Sequence, residues 1–388
     1  MKKILLILTN ITTTNMSLLL QKRGYQVIPW KVPQNVDYNA GARLLNEKID
    51  NSFYGVMMYD YIPQFAEVCN ERKVIYITWI VDCPHFSLYS KSVNLPYNYI
   101  FCFDRKQTAE LRKRGVRHVY HLPLGTDVDL WEQRVSYIAG QPSCSGIAEV
   151  TFVGNLYNGR DRNLYRQIKY LPPYIRGYLE GILQAQGQIS ESMIGEQNFS
   201  EEIWEELVKW ITFTKCTNYI DFYKKQIINM LNIEATARER CNTVSLLNCF
   251  FDFCLYTDSD TSFDSKIRKG GFLDYEKEMP LVFAGSKINI NITSRSIYSG
   301  IPLRILDIMA CGGLVLTNYK EEIAEYFVDG RDCVIYYSLQ DLICKINYYL
   351  EHEEERKKIA KNGAEKVKKE FVLEKQLQKL CEILEATG

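Results

Sequence analysis

A chain of 388 residues is long enough for two or three domains, because single cores stop growing near ~250 residues. Hydrophobic residues make up 46% and charged residues 24%, ordinary globular values that exclude a disordered or fibrous chain. Lysine plus arginine equals aspartate plus glutamate at 47 each, so no net field draws the chain to nucleic acid or a membrane surface.

The first 125 or so residues alternate between apolar strand signals and helical stretches. Strands are expected at Ile4–Leu8, Tyr25–Trp30, Tyr54–Tyr59, Val74–Trp79, Tyr99–Phe103 and Val119–Leu122. Helices are expected between them at Met16–Arg23, Pro63–Arg72 and Lys106–Arg114. Strands that are apolar almost throughout and alternate with helices belong to a parallel sheet covered on both faces. The opening Ile4–Leu8, behind Lys2 and Lys3, is too short for a signal peptide, and no small-residue cleavage site follows it. Ser136–Ile147, rich in Gly, Pro and Ser, reads as an interdomain linker.

A second strand–helix series starts at Glu149–Val153 and runs into Gly154 and Asn155. From about 162 to 248 the pattern is helical, with Trp204, Leu207 and Trp210 at helical spacing and no chemical motif. Strands resume at Phe250–Tyr256, Ile288–Ile292, Leu314–Thr317 and Cys333–Tyr336. Ser338 and Asp341 form a capping signal before a helix striped by Leu342, Ile346 and Leu350. The last helix carries Leu373, Leu377, Leu380 and Leu384 on one face. The expected organisation is a first Rossmann-like domain over 1–140 and a second over 149–371 with a helical insert at about 162–248. The helix at 372–388 is expected to pack back on the first domain.

No apolar stretch approaches ~18 residues, so no integral membrane segment is expected. The 12 cysteines form no C-x-x-C pair, and Cys102, Cys254, Cys311 and Cys333 fall in apolar runs where a thiol acts as a small hydrophobe. That usage points to a reducing compartment, the cytoplasm. The 27 tyrosines suit a sugar-lined cleft and half-buried strands equally.

Three segments could carry chemistry. In Ser294–Gly313 a strand ends, a polar loop follows, and Gly300 and Pro302 open a helix. A helix start after a parallel strand presents free N–H groups and partial positive charge, which suits a diphosphate. Arg304 could add a bidentate clamp. Asp307, set in an apolar helix, needs partners for its carboxylate. Ribose hydroxyls would serve, and so equally would a structural ion pair with Arg304. The second segment, Thr78–His85, places Asp82 and His85 after the fourth strand. His85 could bond a sugar hydroxyl or act as a base with Asp82 orienting it, but a surface histidine near a turn proline has the same spacing. The third, Val153–Arg160, offers Asn155 and Arg160 in a phosphate-facing loop, and Thr9–Asn10 a loop on the acceptor side. Asp258-Ser259-Asp260 reads as a turn. Neither a dinucleotide fingerprint nor a P-loop occurs, which speaks against dehydrogenase and nucleotide triphosphatase readings.

At these segments the sequence resembles the CgeB-like (spore maturation protein B) glycosyltransferases. The likeness rests on Trp79, Asp82, Pro84 and His85, on Phe101–Asp104 and Leu122–Asp127, and on Phe152–Asn155. It is closest from Ser286–Asn289 through Gly300–Arg304 and Asp307 to Gly312-Gly313 and Thr317–Tyr319. The resemblance implies a GT-B fold, two Rossmann-like domains facing a cleft. It also implies a nucleoside-diphosphate-sugar donor of the UDP type, a protein or surface-glycan acceptor, and no obligatory metal or other cofactor. The helix-start E-x7-E motif of retaining GT-B enzymes puts its second acid on Asp307, holding the ribose. Its first falls on Ser299, a departure that opens a second reading, a catalytically inactive nucleotide-sugar-binding or scaffold protein. His85 matches a position that touches the donor sugar from the N-terminal side. The insert leaves room for self-association.

Overall fold

The computed structural model describes residues 1–9, 15–33, 36–138, 147–187, 193–213 and 222–387. The first of its two parallel sheets comprises β1 (Lys2–Ile7), β2 (Tyr25–Trp30), β3 (Phe53–Tyr59), β4 (Ile75–Ile80), β5 (Asn98–Cys102) and β6 (Val119–His121), in the order β2-β1-β3-β4-β5-β6. Helices α1 (Met16–Lys22), α2 (Tyr38–Lys48), α3 (Pro63–Glu71) and α4 (Arg105–Lys113) connect the strands, and α5 (Val128–Ile138) follows β6. Consecutive residues of β3 feed opposite faces: Val56 and Met58 enter one apolar cluster, Met57 and Tyr59 another. Both faces are covered, which is why the strand is apolar without alternation.

The second sheet comprises β7 (Val150–Val153), β8 (Phe253–Tyr256), β9 (Ile288–Asn291), β10 (Val315–Asn318) and β11 (Val334–Tyr336), in the order β11-β10-β9-β7-β8. Between β7 and β8 the chain forms an insert of α6 (Pro173–Gln186), α7 (Glu201–Trp210) and the long α8 (Phe222–Phe250). Ile175, Leu179, Trp204, Leu207, Ile227 and Leu231 give the insert its own core. Because α8 continues through Phe250, the next strand begins at Phe253 rather than at the expected Phe250. The remaining helices are α9 (Met279–Gly285), α10 (Leu303–Ala310), α11 (Glu321–Tyr326), α12 (Leu339–Glu351), α13 (Glu353–Glu370) and α14 (Leu373–Thr387).

Strand order reverses between β1 and β3 in one sheet and between β7 and β9 in the other, and crevices at such switch points gather ligands. The two units share an apolar cluster that joins Trp79 and Phe103 of the first to Ile301, Ile305 and Leu306 of the second. At the end of the chain, Thr126 accepts from Leu373 N and donates its own N–H to Phe371 O, both at 2.9 Å. This bridge seats α14 against the first unit, where Arg23 reaches Gln378 at 2.9 Å. The expected linker falls mostly outside the described residues, as does Asn10. Among the described residues no helix is long and apolar enough to cross a membrane, and the ten described cysteines are free.

Candidate functional site

The carboxyl ends of β3 and β4 bring Asp60, Asp82 and His85 together. Asp60 adopts a left-handed backbone, φ 63°, which turns its carboxylate across the end of β4, where it accepts from Val81 N at 3.1 Å. His85 Nδ1 lies 3.7 Å from that carboxylate, while Nε2 sits against the backbone of Tyr61. The carboxylate at ion-pair distance from His85 is therefore Asp60, a residue that no local motif singles out. Asp82 keeps contact with solvent, yet desolvation at the crevice and the Asp60 charge both push its carboxyl above the usual range. The three residues offer ligand atoms within 4.8 Å of one another, a set that could hold a divalent cation.

Across the interface, the carboxyl ends of β7 and β9 are joined by a residue the sequence reading passed over. Arg240, on α8 and only 8% exposed, donates through Nε (3.1 Å) and Nη2 to Ile292 O, and through Nη1 to Asn155 O. Its guanidinium also lies over the rings of Phe152 (5.4 Å) and Tyr157 (4.9 Å). Gly154 accommodates this packing, since a Cβ there would sit 3.2 Å from the Phe152 ring and 3.8 Å from the guanidinium. Asn155 shapes the loop: its side chain accepts from Tyr157 N and donates to Asp258. Arg160 is exposed, and its carbonyl accepts from Gln167.

Arg304, in the first turn of α10, reaches Met279 Sδ at 3.3 Å and lies over the Phe283 ring at 5.7 Å. Among the described residues neither Arg240 nor Arg304 has a carboxylate within ion-pair distance, and each lies close enough to feel the other's charge. Burial pulls both guanidinium pKa values down. Lys320, beyond β10, donates to Ile297 O at 2.6 Å, and burial brings its ammonium down to about 8. Arg240, Arg304 and Lys320 thus flank the loop after β9, with the carboxylates of Asp307, Asp104 and Glu239 near enough to favour their charges.

The loop itself is arranged differently from expectation. Helix α10 starts at Leu303, and the amides of Ser299 and Gly300 both donate to Asp104 Oδ2, at 2.7 and 2.9 Å. Asp104 caps α4 with its other oxygen, so one carboxylate ties the two units together. Ser299 is fully buried, and its hydroxyl bonds Glu322, which in turn holds His121 at 2.7 Å. A Cβ on Gly300 would lie 2.7 Å from the Phe103 ring, so the close approach that glycine permits here is to protein. The expectation that these two amides stand open to a diphosphate is corrected: a protein carboxylate occupies them.

Asp307 is likewise enclosed, at 2% exposure, accepting from Thr126 (2.6 Å) and Tyr275 (3.1 Å). Trp131 Nε1 supports Thr126 at 2.8 Å and its ring packs edge-on against Tyr275. No ion pair joins Asp307 to Arg304, so hydroxyl groups of the protein satisfy the carboxylate. Burial pushes its pKa up to about 6.

Solved structures share this architecture. UDP-bound HepE from Anabaena is 13% identical, with a TM-score of 0.51 over 100% of each chain. Sucrose-phosphate synthase from Thermosynechococcus elongatus is 12% identical, TM-score 0.53, again over 100% of each. A UDP-forming trehalose-phosphate synthase from Burkholderia xenovorans is 12% identical, TM-score 0.56, over 100% of each. No curated protein matches the chain. The fold is that of the GT-B glycosyltransferases, and residues 238–382, which carry Arg240, Arg304 and Asp307, match the family model described as glycosyl transferase-like.

Proposed function

We propose that this chain is a cytoplasmic glycosyltransferase that moves a sugar from a UDP-type donor to a protein or glycan acceptor, with retention and without a metal. The observation that carries the reading is the pair of guanidiniums at the switch point of the second sheet, Arg240 buried and Arg304 half-buried, neither with a carboxylate of the described residues at ion-pair distance, although Asp307 lies near enough to favour the Arg304 charge. A departing diphosphate is the anion that such a crevice favours, and fixed cations stabilise its developing charge with no metal required. The sugar would then face His85 and Asp82 across the cleft, with Asp60 orienting the imidazole. In a retaining transfer the leaving phosphate takes the acceptor's proton, so these groups position the sugar and support the oxocarbenium-like centre. Free thiols throughout the described chain support the cytoplasmic assignment.

A second reading, a nucleotide-sugar-binding protein without turnover, is favoured by one specific observation, the Asp104 carboxylate seated on Ser299 and Gly300. The two separate in one assay. The purified chain is incubated with UDP-, GDP- and dTDP-sugars, with and without EDTA, while UDP binding is followed by calorimetry. The enzymatic reading expects slow hydrolysis of at least one donor, unchanged by EDTA. Binding without hydrolysis favours the second reading, and neither binding nor hydrolysis removes both.

A further inference from the structure

A cavity of about 770 Å³ opens between α6, α8 and the start of α12, at the carboxyl end of β11 and beyond the residues assigned above to the donor. Its size lies within the ~300–1,000 Å³ of small-molecule sites. Four charged side chains line it, and they neutralise one another. Arg238 bonds Glu180 through two nitrogens at 2.7 and 3.0 Å, and Arg295 Nε meets Glu239 at 2.8 Å. The first turn of α12 is also satisfied internally, because Ser338 accepts from Asp341 N and Asp341 accepts from Tyr337 N. The wall therefore offers an anion no unspent charge. Tyr336, only 5% exposed, lines the cavity, and its buried hydroxyl has no hydrogen-bond partner among the described residues. Beside it Tyr337, 43% exposed, presents a ring that stacks on Tyr319 at 5.8 Å and has Lys345 Nζ 5.5 Å from its centroid.

Self-paired charges with free lone pairs, an unmet hydroxyl and an exposed aromatic ring match a ligand that is rich in hydroxyls, uncharged and apolar on one face. That ligand is a sugar. Arg295 also belongs to the loop that runs from β9 to Gly300, which places the cavity beside the donor crevice. We propose that this cavity is a subsite for the uncharged sugar units of a glycan acceptor, an inference that rests on the glycosyltransferase reading. Carboxylate–guanidinium pairs would bridge vicinal hydroxyls, Tyr336 would contribute its free hydroxyl, and Tyr337 would stack on a ring face.

The test uses the full chain with maltotriose, cellotriose, mannotriose and chitotriose as probes, followed by saturation-transfer NMR, with and without saturating UDP. Wild type is expected to bind at least one trisaccharide whether or not UDP is present. Asn242→Trp, at an exposed position of α8 on the cavity wall, is expected to weaken that binding about tenfold while leaving donor hydrolysis unchanged. Tyr336→Phe is expected to weaken it to a lesser degree. Absence of binding by all four probes, equal binding by Asn242→Trp, or displacement by UDP would overturn the assignment. Saccharide binding by a chain that turns over no donor would fault the enzymatic reading and support the cavity as a sugar site.

Discussion

Replacing Asp307 by asparagine tests the enclosure of the α10 carboxylate directly. In the folded chain its pKa rises from 3.8 to about 6 because burial penalises the charged form more than Thr126, the Arg304 charge and Tyr275 favour it. The folded state therefore holds this proton more tightly than the unfolded state. The group's contribution to stability is full below its unfolded pKa and is lost as pH rises through about 6. A rise of roughly two units corresponds to about 3 kcal/mol in total, and about 1.4 kcal/mol of it falls between pH 5 and pH 8. At 2% exposure solvent screening removes little of it. Asparagine cannot ionise, so the stability of Asp307→Asn lacks this component. Urea unfolding of both proteins at pH 5, 6, 7 and 8 gives the difference curve. Wild type is expected to lose about 1.4 kcal/mol relative to the variant across that range. Parallel curves would refute the argument, since they would mean that the carboxylate is already ionised throughout and therefore well solvated.

Three further outcomes follow from the same geometry. Arg304→Ala should weaken UDP binding by roughly 10–100-fold, the value of a charged hydrogen bond, while uridine binding is unaffected; equal losses in calorimetry would remove Arg304 from the phosphate role. Asp104→Ala leaves the Ser299 and Gly300 amides without an acceptor and should cost about 1–3 kcal/mol in urea unfolding, while UDP binding tightens if the carboxylate competes with the diphosphate. An unchanged midpoint and affinity would contradict the clasp. Gly125→Ala would place a Cβ 2.7 Å from Leu373 Cα, backbone against backbone, so α14 should exchange its amides faster than in wild type; unchanged hydrogen exchange there would show that the junction yields.

The inner strands of the first sheet were legible because they are buried on both faces and therefore read as nearly continuous apolar runs, as in Ile75–Ile80. Gly300, Arg304 and Asp307 were legible as a loop and helix start of unusual composition. What that segment touches was not. Asp104 lies 195 positions from Ser299, and Thr126 lies 181 from Asp307, and no local pattern encodes pairing at such separations. Arg240 escaped notice because Arg238-Glu239-Arg240 looks like any charged stretch of helix. Only the topology sends α8 across the carboxyl ends of β7 and β9 and buries one of its arginines there. Asp60 was hidden for another reason: its role depends on a left-handed turn, and nothing in Tyr59-Asp60-Tyr61 announces one.

The bridge between Thr126 and Val372 also orders the chain's own assembly. It joins positions separated by the whole second unit, 246 residues apart in the chain. During synthesis the six strands of the first sheet emerge early, but the amphipathic helix that covers Tyr25 and Leu20 is made only after the second unit. Until then an apolar face stays open to water or to a chaperone, so the nascent first half matures only after the ribosome has delivered the second. Removing the final turns by proteolysis would restore that immature surface in an otherwise finished molecule.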